Sequence, residues 1–149
     1  MFTLRPALPD DATFLATLER RLMELHARAL WGQFRPAEIS AFDLSNTRIV
    51  MVDGAMAGYL MLERAEDHLR LRKLYLDPGF QGRGIGGALL ALARDEARLA
   101  GLPLRLSVLR PNARAQAFYL RAGMALRETT AERVFLEYPP ETAALRRAG

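Results

Sequence analysis

Apolar residues recur along the chain with two periods. Phe14, Leu15, Leu18, Leu22 and Leu25 stand at helical spacing, and Glu19, Arg20, Arg21 and Glu24 fall largely on the other side. This predicts a helix reaching about residue 28, with Asp10 or Asp11 as its cap. Residues 2–5 read as a short first strand ended by Pro6 and Pro9. A short helix is predicted over 36–42, opened by its proline. Residues 47–52 and 56–62 read as strands joined by the hairpin signal Asp53-Gly54. After a turn near Glu66-Asp67, residues 68–76 form a third strand, so three antiparallel strands are expected in a row. Residues 85–100 read as a strong helix with Leu89, Leu90, Leu92, Ala93 and Leu99 on its apolar side and Gly101 as its stop. Residues 104–108 alternate as a strand that follows a strand–helix crossover and is therefore expected parallel to the third strand. A helix over 112–122, capped by Asn112 and ended by Gly123, leads into a closing hairpin of 124–129 and 132–138. Pro139-Pro140 stops that hairpin, and the arginine-bearing tail after it is expected to be mobile. There is no linker, low-complexity tract or internal repeat.

The third strand breaks its own alternation. Leu69 and Leu71 are apolar on one phase, whereas Leu74 and Leu76 are apolar on the other. Strand side chains alternate with a period of two, so the core face slips by one residue near Arg72-Lys73. A β-bulge is the economical cause, and it would splay the neighbouring strands. The alternative is that Arg72 or Tyr75 interrupts an ordinary pattern at a strand end.

That strand runs into Asp77-Pro78-Gly79, then Gln81, Gly82, Arg83, Gly84, Ile85, Gly86 and Gly87, where the next helix starts. Free amide N–H groups at a helix start, at the positive end of its dipole, suit a phosphate or pyrophosphate. The plainer reading is a glycine-rich turn with no ligand. Gly82, Gly84 and Gly87 satisfy the dinucleotide pattern G-x-G-x-x-G. Two features oppose it: five residues separate the strand end from the first glycine, and no Asp or Glu lies between Gly101 and Arg127 to bind a ribose. The absence of G-K-[ST] removes a nucleoside triphosphate loop.

At 149 residues, half of them hydrophobic, the chain fits one domain spanning 1–149. There is no cysteine, so neither disulfides nor thiolate chemistry come from the protein, which suits the cytoplasm. No signal segment or membrane-length apolar run occurs, and His26 and His68 stand alone, so neither a membrane partner nor a metal is expected. Lys73 is the only lysine, and arginine supplies the rest of a formal net charge of +4. Those arginines are spread out rather than interleaved with aromatics, which argues against nucleic acid. The basic balance weighs slightly against polycationic ligands, but only local charge decides that.

Gln81-x-x-Gly84-x-Gly86 resembles the acyl-CoA pyrophosphate loop of the GNAT superfamily of N-acyltransferases. Asn112, Ala115, Phe118-Tyr119 and Gly123 resemble that family's next strand–helix unit, in the right order, and the likeness extends over about residues 2–138. Met124 departs from the phenylalanine usual after that glycine. The resemblance implies an α/β (α+β) GNAT fold. Its central sheet is mixed and mostly antiparallel, with about six to seven strands splayed at a β-bulge and about four flanking helices. It implies acetyl-CoA as cosubstrate and direct transfer to a primary amine of a small molecule or peptide. Gln81, Gly82, Arg83, Gly84, Ile85 and Gly86 would hold the pyrophosphate, and main-chain groups of Leu74 and Leu76 the pantetheine arm. A bulge N–H would stabilise the oxyanion, Asn112 would bond the pantetheine or fix its helix start, and Tyr119 would protonate the departing thiolate. Tyr119 read alone is first a half-buried core aromatic, since aromatics at helical spacing are usually packing. Glu63 is the candidate base, with Glu24 and His26 as alternatives. These two join Trp31 and Gln33 as acceptor-site candidates; Trp31 read alone is equally a core lid. The acceptor is expected on the side opposite the pantetheine. A homodimer through the last strands is a further family expectation. A non-catalytic CoA-binding domain is the alternative function, and a basic nucleic-acid-binding module a weaker one.

Overall fold

A computed structural model of the chain describes residues 1–36 and 38–140. Its elements are β1 (Phe2–Pro6), α1 (Ala12–Trp31), α2 (Ala41–Ser45), β2 (Thr47–Val52), β3 (Ala55–Arg64), β4 (Leu69–Leu76), α3 (Ile85–Ala100), β5 (Leu104–Leu109), α4 (Ala113–Arg121), β6 (Ala125–Thr129) and β7 (Arg133–Tyr138). The Asp53-Gly54 turn takes φ of 49° and 81°, the paired left-handed geometry whose twist matches antiparallel strands. The strands form one sheet in the order β1-β2-β3-β4-β5-β7-β6. Among the described residues only β4 and β5 pair in parallel, joined through α3. The mostly antiparallel, seven-stranded sheet and its four helices are those the resemblance implied.

Alternation along β3 explains the layering. Tyr59 packs with Leu15, Leu18 and Ile49 under α1, while Leu60 and Leu62 pack with Leu90, Ala93 and Ala97 of α3. Both faces of the sheet's centre are therefore covered, which is why β3 is apolar on successive residues rather than every second one.

Three local expectations are corrected. Asp11 does not cap α1: its buried carboxylate accepts two hydrogen bonds from Arg5 at 2.8 and 2.9 Å and one from the Leu8 N–H at 2.8 Å. Helix α1 runs on to Trp31 and closes at Gly32, whose φ of 72° lets its N–H reach the Arg28 carbonyl at 2.9 Å. Helix α2 starts at Ala41 rather than at the proline, because Ser40 and Asp43 make a reciprocal capping box. The tail expected to be mobile lies beyond Pro140, outside the described residues.

Candidate active site

The expected bulge is in β4. Met61 pairs with Lys73 and Leu62 with Leu71, so Arg72 is the extra residue. Past it β4 leaves β5: these parallel strands pair only at Leu69 with Leu104 and Arg70 with Arg105. The Asp77 N–H donates to the Ala57 carbonyl at 2.8 Å. By the alternation of an antiparallel ladder, the backbone groups of Tyr75 face β3, and those of Leu74 and Leu76 face the opening toward β5. The Leu76 carbonyl there accepts from Gln81 Nε2 at 2.9 Å, which ties the following loop to the strand end. Gly58 lets β3 and β4 approach closely beside the opening, since a Cβ there would stand 2.1 Å from the Tyr75 carbonyl oxygen.

The loop closes over the C-terminal end of β4. Gly82 and Gly84 take φ of 77° and 83°, and Gly84 is the N-cap of α3. The backbone N–H groups of residues 82–87 donate to no acceptor among the described residues. They gather at the positive end of a 16-residue helix, an arrangement built for an anion. Arg83 lies over the Phe80 ring, 5.2 Å from its centroid.

Helix α4 faces this loop. A Cβ at Gly86 would sit 3.6 Å from Phe118 Cζ and 3.8 Å from Leu76 Cδ1, so loop, strand end and helix converge. Asn112 Oδ1 accepts the Ala115 N–H at 3.1 Å, the capping role read from the sequence. Tyr119 is buried, its ring edge-on to Phe118 at 5.1 Å. Burial pushes its phenol well above the usual range, so it stands as a proton-bearing group at neutral pH. Tyr75 is pushed up as well, first by burial, then by the charge of Glu19 and by Tyr119.

On the α1 face, beside the bulge, lies a small, partly open pocket. Its apolar wall includes Phe34, Ile39 and Met61, and its polar residues are Glu19, Glu38, Asp43 and Lys73. The Lys73 ammonium is hydrogen-bonded to the Glu19 carboxylate, and both side chains are largely buried. Asp43 is held below the usual carboxylate range, first by the Ser40 N–H and further by the Ser40 hydroxyl and the charges of Arg72 and Lys73.

The acceptor-side residues expected from the sequence are not gathered there. Glu63 faces Arg72 at 3.6 Å and Arg70 at 3.8 Å. Glu24 bridges Arg20 and Arg28 along α1, and His26 is half-buried on the same helix. Trp31 donates its indole N–H to Glu132 at the turn between β6 and β7, and the Gln33 amide lies 3.1 Å from Arg35 Nη2. None of these five lines the pocket. Glu19, Asp43, Lys73 and Tyr75 escaped the sequence reading. The signals were a lone lysine and a tyrosine in the stretch where the strand changes phase.

Among the described residues no helix is long and apolar enough to cross a membrane, and no cluster of His, Cys, Asp and Glu is placed to hold a metal ion.

An N-acetyltransferase of Mycobacterium bovis, itself uncharacterised, is 42% identical over 82 residues, 52% of this chain and 51% of that protein. The chain thus spans about half the length of the curated relatives it matches. The fold superposes on the PaiA N-acetyltransferase of Thermoplasma acidophilum, solved with coenzyme A, with a TM-score of 0.72 at 18% identity, over 93% of this chain and 99% of that one. It also superposes on the ribosomal-protein-S18-alanine N-acetyltransferase of Escherichia coli, with a TM-score of 0.69 at 25% identity, over 94% of each chain. Residues 13–124 match the acetyltransferase (GNAT) family, most of the sheet and both cleft helices included, and this chain belongs to that family.

Proposed function

We propose that this chain transfers an acetyl group from acetyl-CoA to a primary amine by direct attack within a ternary complex. The reading rests above all on the opening between β4 and β5, closed at one end by a loop whose N–H groups 82–87 have no acceptor among the described residues. Those donors and the positive end of α3 fit a pyrophosphate. The outward backbone groups of Leu74 and Leu76 fit an extended amide-bearing arm, added like a strand. Bound there, the thioester supplies an activated carbonyl with a thiolate as leaving group.

The chain's own groups then have distinct tasks. Gln81 to Gly86 fix the diphosphate, while Asn112 caps the start of α4, the helix that carries Tyr119. Tyr119 keeps its proton until charge develops on sulfur and then donates to it. An N–H freed by the bulge at Arg72 stabilises the carbonyl oxygen as it becomes negative. The pocket on the opposite face, lined by Glu19, Phe34, Asp43 and Lys73, takes the amine. The E. coli relative's named substrate, an alanine of a ribosomal protein, keeps peptide amines beside small-molecule amines as acceptors. Strand β6, exposed along all five residues at the sheet edge, offers the surface for the homodimer in this reading. The cytoplasm, expected for a cysteine-free chain, is its setting.

The test is thiol release from acetyl-CoA across polyamines, amino acids, aminoglycosides and peptide N-termini, beside a thermal scan with acetyl-CoA. The reading predicts a ligand-induced rise in Tm that Gly84→Glu abolishes, and turnover with at least one amine. A rise in Tm with no turnover on any of them would leave a CoA-binding domain without catalysis.

A further inference from the structure

The pocket also identifies the group that removes the acceptor's proton, an inference that rests on the acyl-transfer reading above. An alkyl ammonium has a pKa near about 10, so at neutral pH it has no lone pair with which to attack. A carboxylate in the pocket, close to where the bulge opens the sheet, would supply the base that frees it. Glu63 and Glu24 are outside the lining and held by arginines. Asp43 accepts the Ser40 N–H at Oδ2 and faces Arg72 through Oδ1, and Glu38 is exposed at the rim.

Glu19 differs on each count. It lines the pocket, is largely buried, and is bound by Lys73, the residue next to the bulge. After burial, the charge of Glu19 is the next cause that holds the Tyr75 phenol above its usual range, with Tyr119 a further one. An enclosed ion pair contributes little to stability once desolvation is counted, so packing alone does not account for it. Its cation is the only lysine among 21 basic residues. An ammonium on a flexible stem can swing aside, as a forked guanidinium bonded at two points does not.

We propose that Glu19 accepts the proton of the acceptor ammonium, with Lys73 positioning its carboxylate at the bulge. One proton passes from nitrogen to the Glu19 carboxylate, and the freed lone pair forms the C–N bond at the thioester carbon, whose oxygen carries the negative charge until the C–S bond breaks. The thiolate takes a proton from Tyr119, which regains one from the same nitrogen, and Glu19 returns its proton to water. The products are the amide, the thiol and one proton. The charged and titratable groups around Glu19 are Lys73 and Tyr75 on β4, Tyr59 on β3, Glu38 in the loop before α2, and Asp43 on α2 with Arg72 behind it.

The test takes the primary amine with the fastest thiol release and measures Glu19→Gln and Glu19→Asp from pH 6 to 10. Glu19→Gln is expected to lower kcat/KM at pH 7 by about 100-fold. Its residual rate is expected to climb about tenfold per pH unit, following the free-amine fraction, where the unaltered chain levels off. Glu19→Asp recovers at least part of the rate, and calorimetric CoA affinity stays within about threefold in both. If Glu19→Gln keeps the original rate and profile, or loses CoA affinity in parallel, or if Glu63→Gln alone gives the new profile, the assignment is overturned. Absence of thiol release with any amine in the unaltered chain removes the acyl-transfer reading itself, and with it this step.

Discussion

Alanine at Gly84 and alanine at Gly87 are expected to move stability in opposite directions, although the positions are three residues apart and equally open. A Cβ at either site meets nothing within 4 Å, so sterics do not separate them. Backbone geometry does. Gly84 has φ of 83° as the N-cap of α3, and a residue with a side chain costs about 1–2 kcal/mol in that region. Gly87 lies in the first turn of the helix without a positive φ, and alanine there gains about 0.5–1 kcal/mol over glycine. For a domain of this size about 1 kcal/mol shifts Tm by roughly 2–4 °C. Gly84→Ala is therefore expected to lower Tm by about 2–8 °C and Gly87→Ala to raise it by about 1–4 °C. Should the Gly84→Ala loop relax by rotating its peptide planes, the loss moves from stability to affinity, because the N–H groups then point elsewhere. Scans with and without coenzyme A separate the two outcomes, since ligand at about 100 times Kd adds about 2.7 kcal/mol to a competent site. Shifts of the same sign for both variants, or a Gly84→Ala protein unchanged in both Tm and ligand response, would refute the reasoning.

Gly58→Ala forces a Cβ against the Tyr75 carbonyl at 2.1 Å, and backbone cannot yield as a side chain would; urea titration is expected to show a loss of about 3 kcal/mol or more. Tyr119→Phe removes only a hydroxyl, so coenzyme A affinity by calorimetry is expected to hold while thiol release falls about 100-fold. The hydrogen-bonded Arg5 guanidinium holds the Asp11 carboxyl below its usual range against the pull of burial. A depressed folded value makes that stability complete above the unfolded value near about 3.9 and lost as pH falls through the folded one. Asp11→Asn is thus expected to cost about 1–3 kcal/mol by urea unfolding at pH 7, with the gap to the unaltered chain closing below about pH 4.

The cofactor side of the site was legible because its chemistry is local. The change of phase from Leu69 and Leu71 to Leu74 and Leu76 marked a bulge that pairing assigns to Arg72. Glycines 82 and 84 marked a loop that takes left-handed geometry at both. The pocket was not legible, because Glu19, Asp43 and Lys73 come from three elements and meet only when the sheet is assembled. Charged residues carry no periodicity that betrays such a meeting. Two local misreadings have local causes. Pro36 looked like a helix start, but Ser40-x-x-Asp43 was the stronger cap. Asp11 looked like a cap, but a guanidinium six residues back along the chain offered its carboxylate two hydrogen bonds.

The central claim is that the glycine loop and the opened strand pair grip coenzyme A. Titrating acetyl-CoA into the folded chain by calorimetry tests it without knowledge of the acceptor. The account predicts saturable heat with one site per chain, abolished by Gly84→Glu in protein that remains folded by circular dichroism. Absence of heat with both acetyl-CoA and free coenzyme A, or binding untouched by Gly84→Glu, would contradict it.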